Sequence, residues 1–212
     1  MSMVAAQPDG DLSSSGKRLR PIQPRWLRIT HWLNALAVLL LITSGWRIYN
    51  ASPIFAFKFP KAITLGGWLG GALLWHFAAM WLLVVNGLVY LCTNIFSGRL
   101  RQRFWPLAPR QIAQDFLAAL QGRLAHDDLR HYNAVQKFAY LAAIALIVLV
   151  VLSGLAVWKS VQFPLLRELM GGYDNARIVH FLAMAGLVAF ALVHVVMAVL
   201  VPKTLLAMLR GR

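Results

Sequence analysis

Four apolar segments dictate what this chain can fold into. They run over about Trp26–Ile48, Gly67–Thr93, Val135–Trp158 and Arg177–Val201, and each is long enough to cross a hydrocarbon layer of ~30 Å. Inside that layer a backbone N–H or C=O finds no water, so each segment must close its hydrogen bonds internally as a helix. The chain is 59% hydrophobic and 13% charged, far too few charges for a soluble domain of this size. The expected fold is therefore all-α: an integral membrane four-helix bundle over residues 26–202. A disordered cytoplasmic tail at 1–25 precedes it and a cytoplasmic tail at 203–212 follows.

The net charge of +14 would suggest nucleic acid in a soluble chain. Here the basic residues gather between the apolar runs, where they set topology and meet anionic headgroups. Fifteen of the 21 Lys and Arg residues fall in the N-terminal tail, the connection between spans two and three, and the C-terminal tail. The other six, Arg47, Lys58, Lys61, Lys159, Arg167 and Arg177, fall on the opposite side. The positive-inside rule then puts both termini in the cytoplasm. Residues 1–25 lack the apolar core of a cleavable signal peptide. In the cytoplasmic connection, Pro109 suits a first helical position and Gly122 a helix end. Ile112, Phe116, Leu117 and Leu120 would form one apolar face on the inner leaflet, or a partner-binding face. The outer loops carry Phe55, Phe57, Phe59 and Phe163, the pattern of interfacial anchors.

Four histidines lie in the spans, and an ionisable residue at membrane depth points to function. His180 and His194 are fourteen residues apart on span four. That step is ~40° short of four full turns and rises roughly 21 Å, so both rings leave one helix face at two depths. Threading the chain back and forth puts His31 near the inner face, His76 in the outer half, His180 outer and His194 inner. The expected pairs are His31 with His194 and His76 with His180. Two histidines on facing helices can clamp a metalloporphyrin from both sides and give a six-coordinate electron carrier. A proton relay or a packed core histidine would explain one such residue better than four that pair by depth. Zinc or copper would need its ligands gathered at one depth. The chain has no C-x-x-C-H stretch, which excludes covalent c-type attachment, and the single Cys92 excludes an intrachain disulfide. The expectation is two haem b groups, the four histidines binding iron. His126 and His131, in the cytoplasmic connection, are expected to be solvated.

A flat macrocycle needs helix faces free of side chains. Gly45, fourteen residues after His31, Gly87, eleven after His76, and Gly154 are the expected clearance positions; helix contact is the alternative use of membrane glycines. Arg28 at the inner level and Arg177 at the outer are the candidate partners for haem propionates, or for lipid headgroups.

Arg28-Ile-Thr-His31-Trp32-Leu-Asn34-Ala opens the first span, and His131-Tyr132-Asn133-Ala134-Val135-Gln136-Lys137-Phe-Ala-Tyr140 opens the third. Together with His180 and His194 they resemble the bacterial cytochrome b561 / Ni–Fe-hydrogenase cytochrome b family over about residues 24–202. The likeness is strongest to thiosulfate-reductase and formate-dehydrogenase cytochrome b subunits. The resemblance implies a bundle with two b haems that exchanges electrons with membrane quinone, and the same axial pairing. It also implies a quinone pocket at Asn133 beside the inner haem, although those relatives have glycine where this chain has Val135. Gln136, Lys137 and Tyr140 stand near enough to join that pocket; capping by Asn133 and snorkelling by Lys137 are the alternatives.

The leading expectation is a subunit of the inner membrane that carries electrons between quinone and an extracytoplasmic redox protein, which the resemblance makes a molybdopterin oxidoreductase. No catalytic residue is assigned, and neither nucleic acid nor nucleotide is an expected partner. A stand-alone superoxide:ubiquinone oxidoreductase, with Lys58, Lys61, Lys159 and Arg167 steering the anion, is one alternative. A histidine-lined anchor or proton-conducting transporter is the non-redox one.

Overall fold

The computed structural model describes residues 23–98 and 134–211, together with Arg110, Gln114 and Leu117. Regular structure among these residues is entirely helical. Helix α1 spans Arg25–Ala51, α2 Leu69–Phe96, α3 Ala134–Trp158, α4 Pro164–Leu169, α5 Tyr173–Leu200 and α6 Pro202–Arg210. A single 3-10 turn at Lys61–Ile63 lies between α1 and α2. The four long helices are the four expected spans, and each is long and apolar enough to cross a membrane. Arg110, Gln114 and Leu117 are helical, within the expected surface helix. The tail before residue 23, Asn133, His126 and His131 lie outside the described residues.

Glycines move two helix starts away from the hydropathy boundaries. Gly66 and Gly67 have φ of 102° and 68°, left-handed values that a side chain resists. They turn the chain, so α2 begins at Leu69 instead of Gly67. A Cβ on Gly66 would also strike the backbone of Ala72. Gly171 and Gly172, at φ 80° and 95°, reverse the chain before α5, which starts at Tyr173, four residues earlier than expected.

The helices form two antiparallel hairpins, α1 with α2 and α3 with α5. Backbones run close along each hairpin and approach only at scattered points between the hairpins. The close seams are built from small side chains: Ala37, Ala72, Ala79, Ala143, Ala156, Ala176 and Ala183 are buried. Small residues let backbones approach where no hydrophobic effect drives helix association. One buried polar clamp joins the first hairpin: the Asn86 amide donates to the Thr30 carbonyl and to Asn34 Oδ1, both at 2.7 Å. Large apolar side chains such as Leu39, Leu74, Trp81, Val193 and Leu200 point outward, as a lipid-facing surface requires.

The C-terminal segment is a helix. Pro202 opens α6 at a first-turn position where its missing N–H costs nothing. Gly211 ends it with a left-handed cap. The Arg28 guanidinium of α1 donates to the Leu209 carbonyl and, from Nε, to the Met208 carbonyl at 3.1 Å. These are two of the carbonyls a helix end leaves without partners. The C-terminal helix is thereby fixed to the turn of α1 that precedes His31.

Candidate functional site

The four intramembrane histidines meet in the two expected pairs. His76 of α2 faces His180 of α5 with ring centroids 6.4 Å apart, nearest the loops. His31 of α1 faces His194 of α5 at 6.0 Å, nearest the chain ends. Each pair reaches across the gap between hairpins. Two metal–nitrogen bonds of ~2 Å in line, plus the half-width of each ring, give a centroid separation of about 6 Å. Among the described residues no three His, Cys, Asp or Glu side chains converge. Each pair could therefore hold a metal only in a group that brings its other ligands with it, as a porphyrin does.

The pair near the loops is held by hydroxyls. Ser44 Oγ donates to the Leu40 carbonyl at 2.6 Å and lies 3.1 Å from His76 Nδ1. Ser153 Oγ donates to the Leu149 carbonyl at 2.6 Å and lies 3.0 Å from His180 Nδ1. With its proton given to the carbonyl, each hydroxyl oxygen accepts from Nδ1–H. That sets the tautomer whose Nε2 lone pair is available to a metal, the usual role of a ligand's hydrogen-bond partner. Both serines are fully buried and are the largest fully buried side chains among the described residues. In the sequence the repeated Ser-Gly of Ser44-Gly45 and Ser153-Gly154 is visible, but not what the hydroxyls touch.

Gly45 and Gly154 lie against these rings. A Cβ on Gly45 would sit 3.4 Å from His76 Cε1, and one on Gly154 3.2 Å from His180 Cε1. Their clearance thus serves the imidazole itself. A Cβ on Gly87 would meet nothing within 4 Å, so α2 presents a bare face toward the chain-end level. The rings at that level are oriented by aromatic packing: Phe190 stacks on His194 at 5.7 Å and Trp32 meets His31 edge-on at 5.4 Å.

The two hairpins repeat one another. Ala72, His76, Ala79 and Leu83 of α2 correspond, 104 positions on, to Ala176, His180, Ala183 and Leu187 of α5. Leu40, Ser44 and Gly45 of α1 correspond, 109 positions on, to Leu149, Ser153 and Gly154 of α3. The hydrogen bonds match as well as the residues, so the His76/His180 site has pseudo-two-fold symmetry.

Of the expected propionate partners, Arg28 holds α6 as described, and Arg177 donates to the Ser52 carbonyl at 2.6 Å and to Ser52 Oγ at 3.1 Å. Gln136 is exposed and Lys137 and Tyr140 are half-buried near the start of α3. At the loop end an aromatic cluster adjoins His180. Phe181 lies 5.0 Å from Tyr49 and 5.4 Å from Phe55, and Phe59 stacks on Trp46 at 4.7 Å. The loop is pinned by Asn50, whose amide exchanges 2.8 Å hydrogen bonds with both backbone groups of Phe59.

The arrangement fits bis-histidine porphyrin binding in two respects: two histidine pairs at coordinating separation, and a helix face at Gly87 that a side chain does not fill. A family model described as prokaryotic cytochrome b561 matches residues 22–211. The chain is also 65% identical over 195 residues to a putative protein-methionine-sulfoxide reductase subunit, YedZ1, of Azospira oryzae, covering 92% of this chain and 98% of that one.

Proposed function

The chain belongs to the prokaryotic cytochrome b561 family, a multi-pass electron-transfer cytochrome of the bacterial inner membrane, and on that premise we propose that it carries electrons between the quinone pool and an extracytoplasmic reductase through two haem b groups. The observation that carries this reading is the double histidine pair, at 6.0 and 6.4 Å across the inter-hairpin gap. His76 and His180 would hold the haem near the loops, and His31 and His194 the haem near the chain ends. When bound, haem b supplies one-electron transfer at a six-coordinate iron.

The residues divide the remaining work. Ser44 and Ser153 orient the loop-end ligands, and Phe190 and Trp32 orient the others. Gly45 and Gly154 give the imidazoles room, and Gly87 leaves room beside the chain-end level. Arg28 and Arg177 keep N–H donors beyond those used by Leu209, Met208 and Ser52, and these would meet propionates. Asn133, Gln136, Lys137 and Tyr140, where α3 begins, would contribute to the quinone pocket. The excess of Lys and Arg on the chain-end side supports placing both termini in the cytoplasm, so the Phe55–Phe59 loop would face the partner. The name of the Azospira relative, a subunit of a putative protein-methionine-sulfoxide reductase, supports a methionine-sulfoxide-reducing catalytic subunit as that partner, of the molybdopterin class that the family resemblance suggests.

Haem counting on single substitutions tests the pairing. His31→Ala or His194→Ala should leave one haem per chain with the loop-end spectrum, and His76→Ala or His180→Ala should leave the other. The proposal fails if the unaltered protein holds only one haem, or if His76→Ala and His194→Ala remove the same one.

A further inference from the structure

The chain changes direction as it leaves α5. Val201, at φ −121° and ψ 75°, departs from the helical backbone, and Pro202 opens α6. At 1.5 Å per residue Val201 lies roughly 10 Å beyond His194 toward the chain ends. The far end of α6 is held at α1. Arg28 donates to the Met208 and Leu209 carbonyls, and a Cβ on Gly211 would lie 3.3 Å from the Gln23 carbonyl oxygen. Arg25, where α1 begins, lies roughly 9 Å beyond His31 in the same direction. His31 faces His194, so α6 starts and ends at about one level. It crosses the end of the bundle from α5 to α1 and lies in the plane of the membrane surface.

The two faces of α6 differ. Ala207 is buried and Met208 half-buried. Leu206 and Leu209 are exposed, and so are Lys203 and Arg210. A step of seven residues leaves Lys203 and Arg210 within ~20° of one another around the helix, with Leu206 and Leu209 on the neighbouring ~120°. This apolar stripe continues the lipid-facing surface of α5, where Val195, Val196, Val199 and Leu200 are exposed. The two cations have no counter-charge from the protein. Among the described residues the carboxylates are Glu168 and Asp174, and these pair with Arg167 and Arg177 at the loop end.

We propose that α6 docks on anionic phospholipid. Leu206 and Leu209 enter the boundary between headgroups and acyl chains, and Lys203 and Arg210 meet lipid phosphates. Two observations favour a lipid surface over a protein partner: the stripe is continuous with lipid-facing α5, and the cations beside it are unpaired among the described residues. The docking reaches into the bundle through α1. Trp32 Nε1 donates to the Met208 carbonyl at 3.5 Å, and the Trp32 indole meets His31 edge-on at 5.4 Å. Arg28 and Trp32 thus tie the lipid-held helix to the turn of α1 that carries His31, so anionic lipid steadies that turn. The assignment does not depend on the electron-transfer reading.

The test uses the full-length, haem-loaded protein in nanodiscs of phosphatidylcholine alone, or of phosphatidylcholine and phosphatidylglycerol in equal parts. Amide exchange is followed by mass spectrometry in Thr204–Arg210 and in Arg28–Trp32. Phosphatidylglycerol should slow exchange in α6 about fivefold for each cation that meets the anionic surface, with slowing in the same direction in Arg28–Trp32. High salt should shrink the difference. A Lys203→Gln, Arg210→Gln double variant should lose it while keeping its haem content. Equal exchange in the two lipids overturns the proposal, and so does a lipid effect that survives in the double variant. Slowing confined to α6 overturns the coupling to α1. Protection that appears only with two chains per disc gives the exposed face to a second copy instead.

Discussion

Replacing Gly154 by alanine should weaken one haem site and spare the other, by an amount the structure lets one estimate. The new methyl carbon would lie 3.2 Å from His180 Cε1 and 3.5 Å from its Nδ1, the first inside the ~3.5–4.0 Å of an ordinary carbon contact. The ring has little freedom to retreat. Its Nδ1 lies 3.0 Å from Ser153 Oγ and 3.0 Å from the Val150 carbonyl, both on the helix that carries Gly154. The imidazole must shift by a few tenths of an ångström, away from those two partners or out of line with a bound iron. Overpacking of this kind costs about 1–3 kcal/mol, which is roughly ten- to a hundredfold in haem affinity. Gly45→Ala is the internal control, because its methyl would stand 3.4 Å from His76 Cε1 and 3.8 Å from Nδ1, close to ordinary contact. Haem release to excess apomyoglobin, followed in the Soret band, measures the difference. Gly154→Ala should release the loop-end haem about tenfold faster or more, Gly45→Ala near the unaltered rate, and the chain-end haem should leave unchanged in both. The reasoning is refuted if Gly45→Ala is at least as fast as Gly154→Ala, or if the chain-end haem is lost equally.

Two other perturbations probe the surroundings. Ser44→Ala and Ser153→Ala each remove a hydroxyl that orients one imidazole and raises its basicity, so each should move the loop-end haem's midpoint potential positive by a similar amount; a redox titration in which the chain-end potential moves instead would contradict the assignment. Arg28→Ala removes the donor to the Leu209 carbonyl and leaves the Met208 carbonyl only the 3.5 Å bond from Trp32 Nε1, and hydrogen bonds from a charged donor contribute about 1.5–3 kcal/mol each when well buried. With Arg28 only half-buried, a loss near ~1 kcal/mol is expected, read as faster amide exchange in Thr204–Arg210, and unchanged exchange there would show that other contacts hold the helix.

Much of the site was legible because a helix converts spacing into direction and depth. His180 and His194, fourteen residues apart, had to share a face roughly 21 Å apart, and the bilayer forced antiparallel spans that matched each of them with His76 or His31. Those pairs are the ones the structure brings together. The serines were legible only in retrospect, since Ser44 and Ser153 matter for what lies 3.1 and 3.0 Å away on another helix. The same holds for Asn86, whose two partners are on α1, and for Arg28, whose partners lie some 180 residues on in α6.

The amino-acid sequence alone determined the number of spans, which histidines lie near one another and the family, because hydropathy and helical period are properties of one helix at a time. Tertiary structure decided which helices pack tightly as hairpins and which stand apart. It decided that Gly45 and Gly154 make room for histidine rings, and that the last residues form a helix docked on Arg28. It also set the pseudo-two-fold relation between the hairpins. Those features depend on lateral packing between helices, where small side chains permit close approach and hydrogen bonds select the partner, and no single helix carries that information.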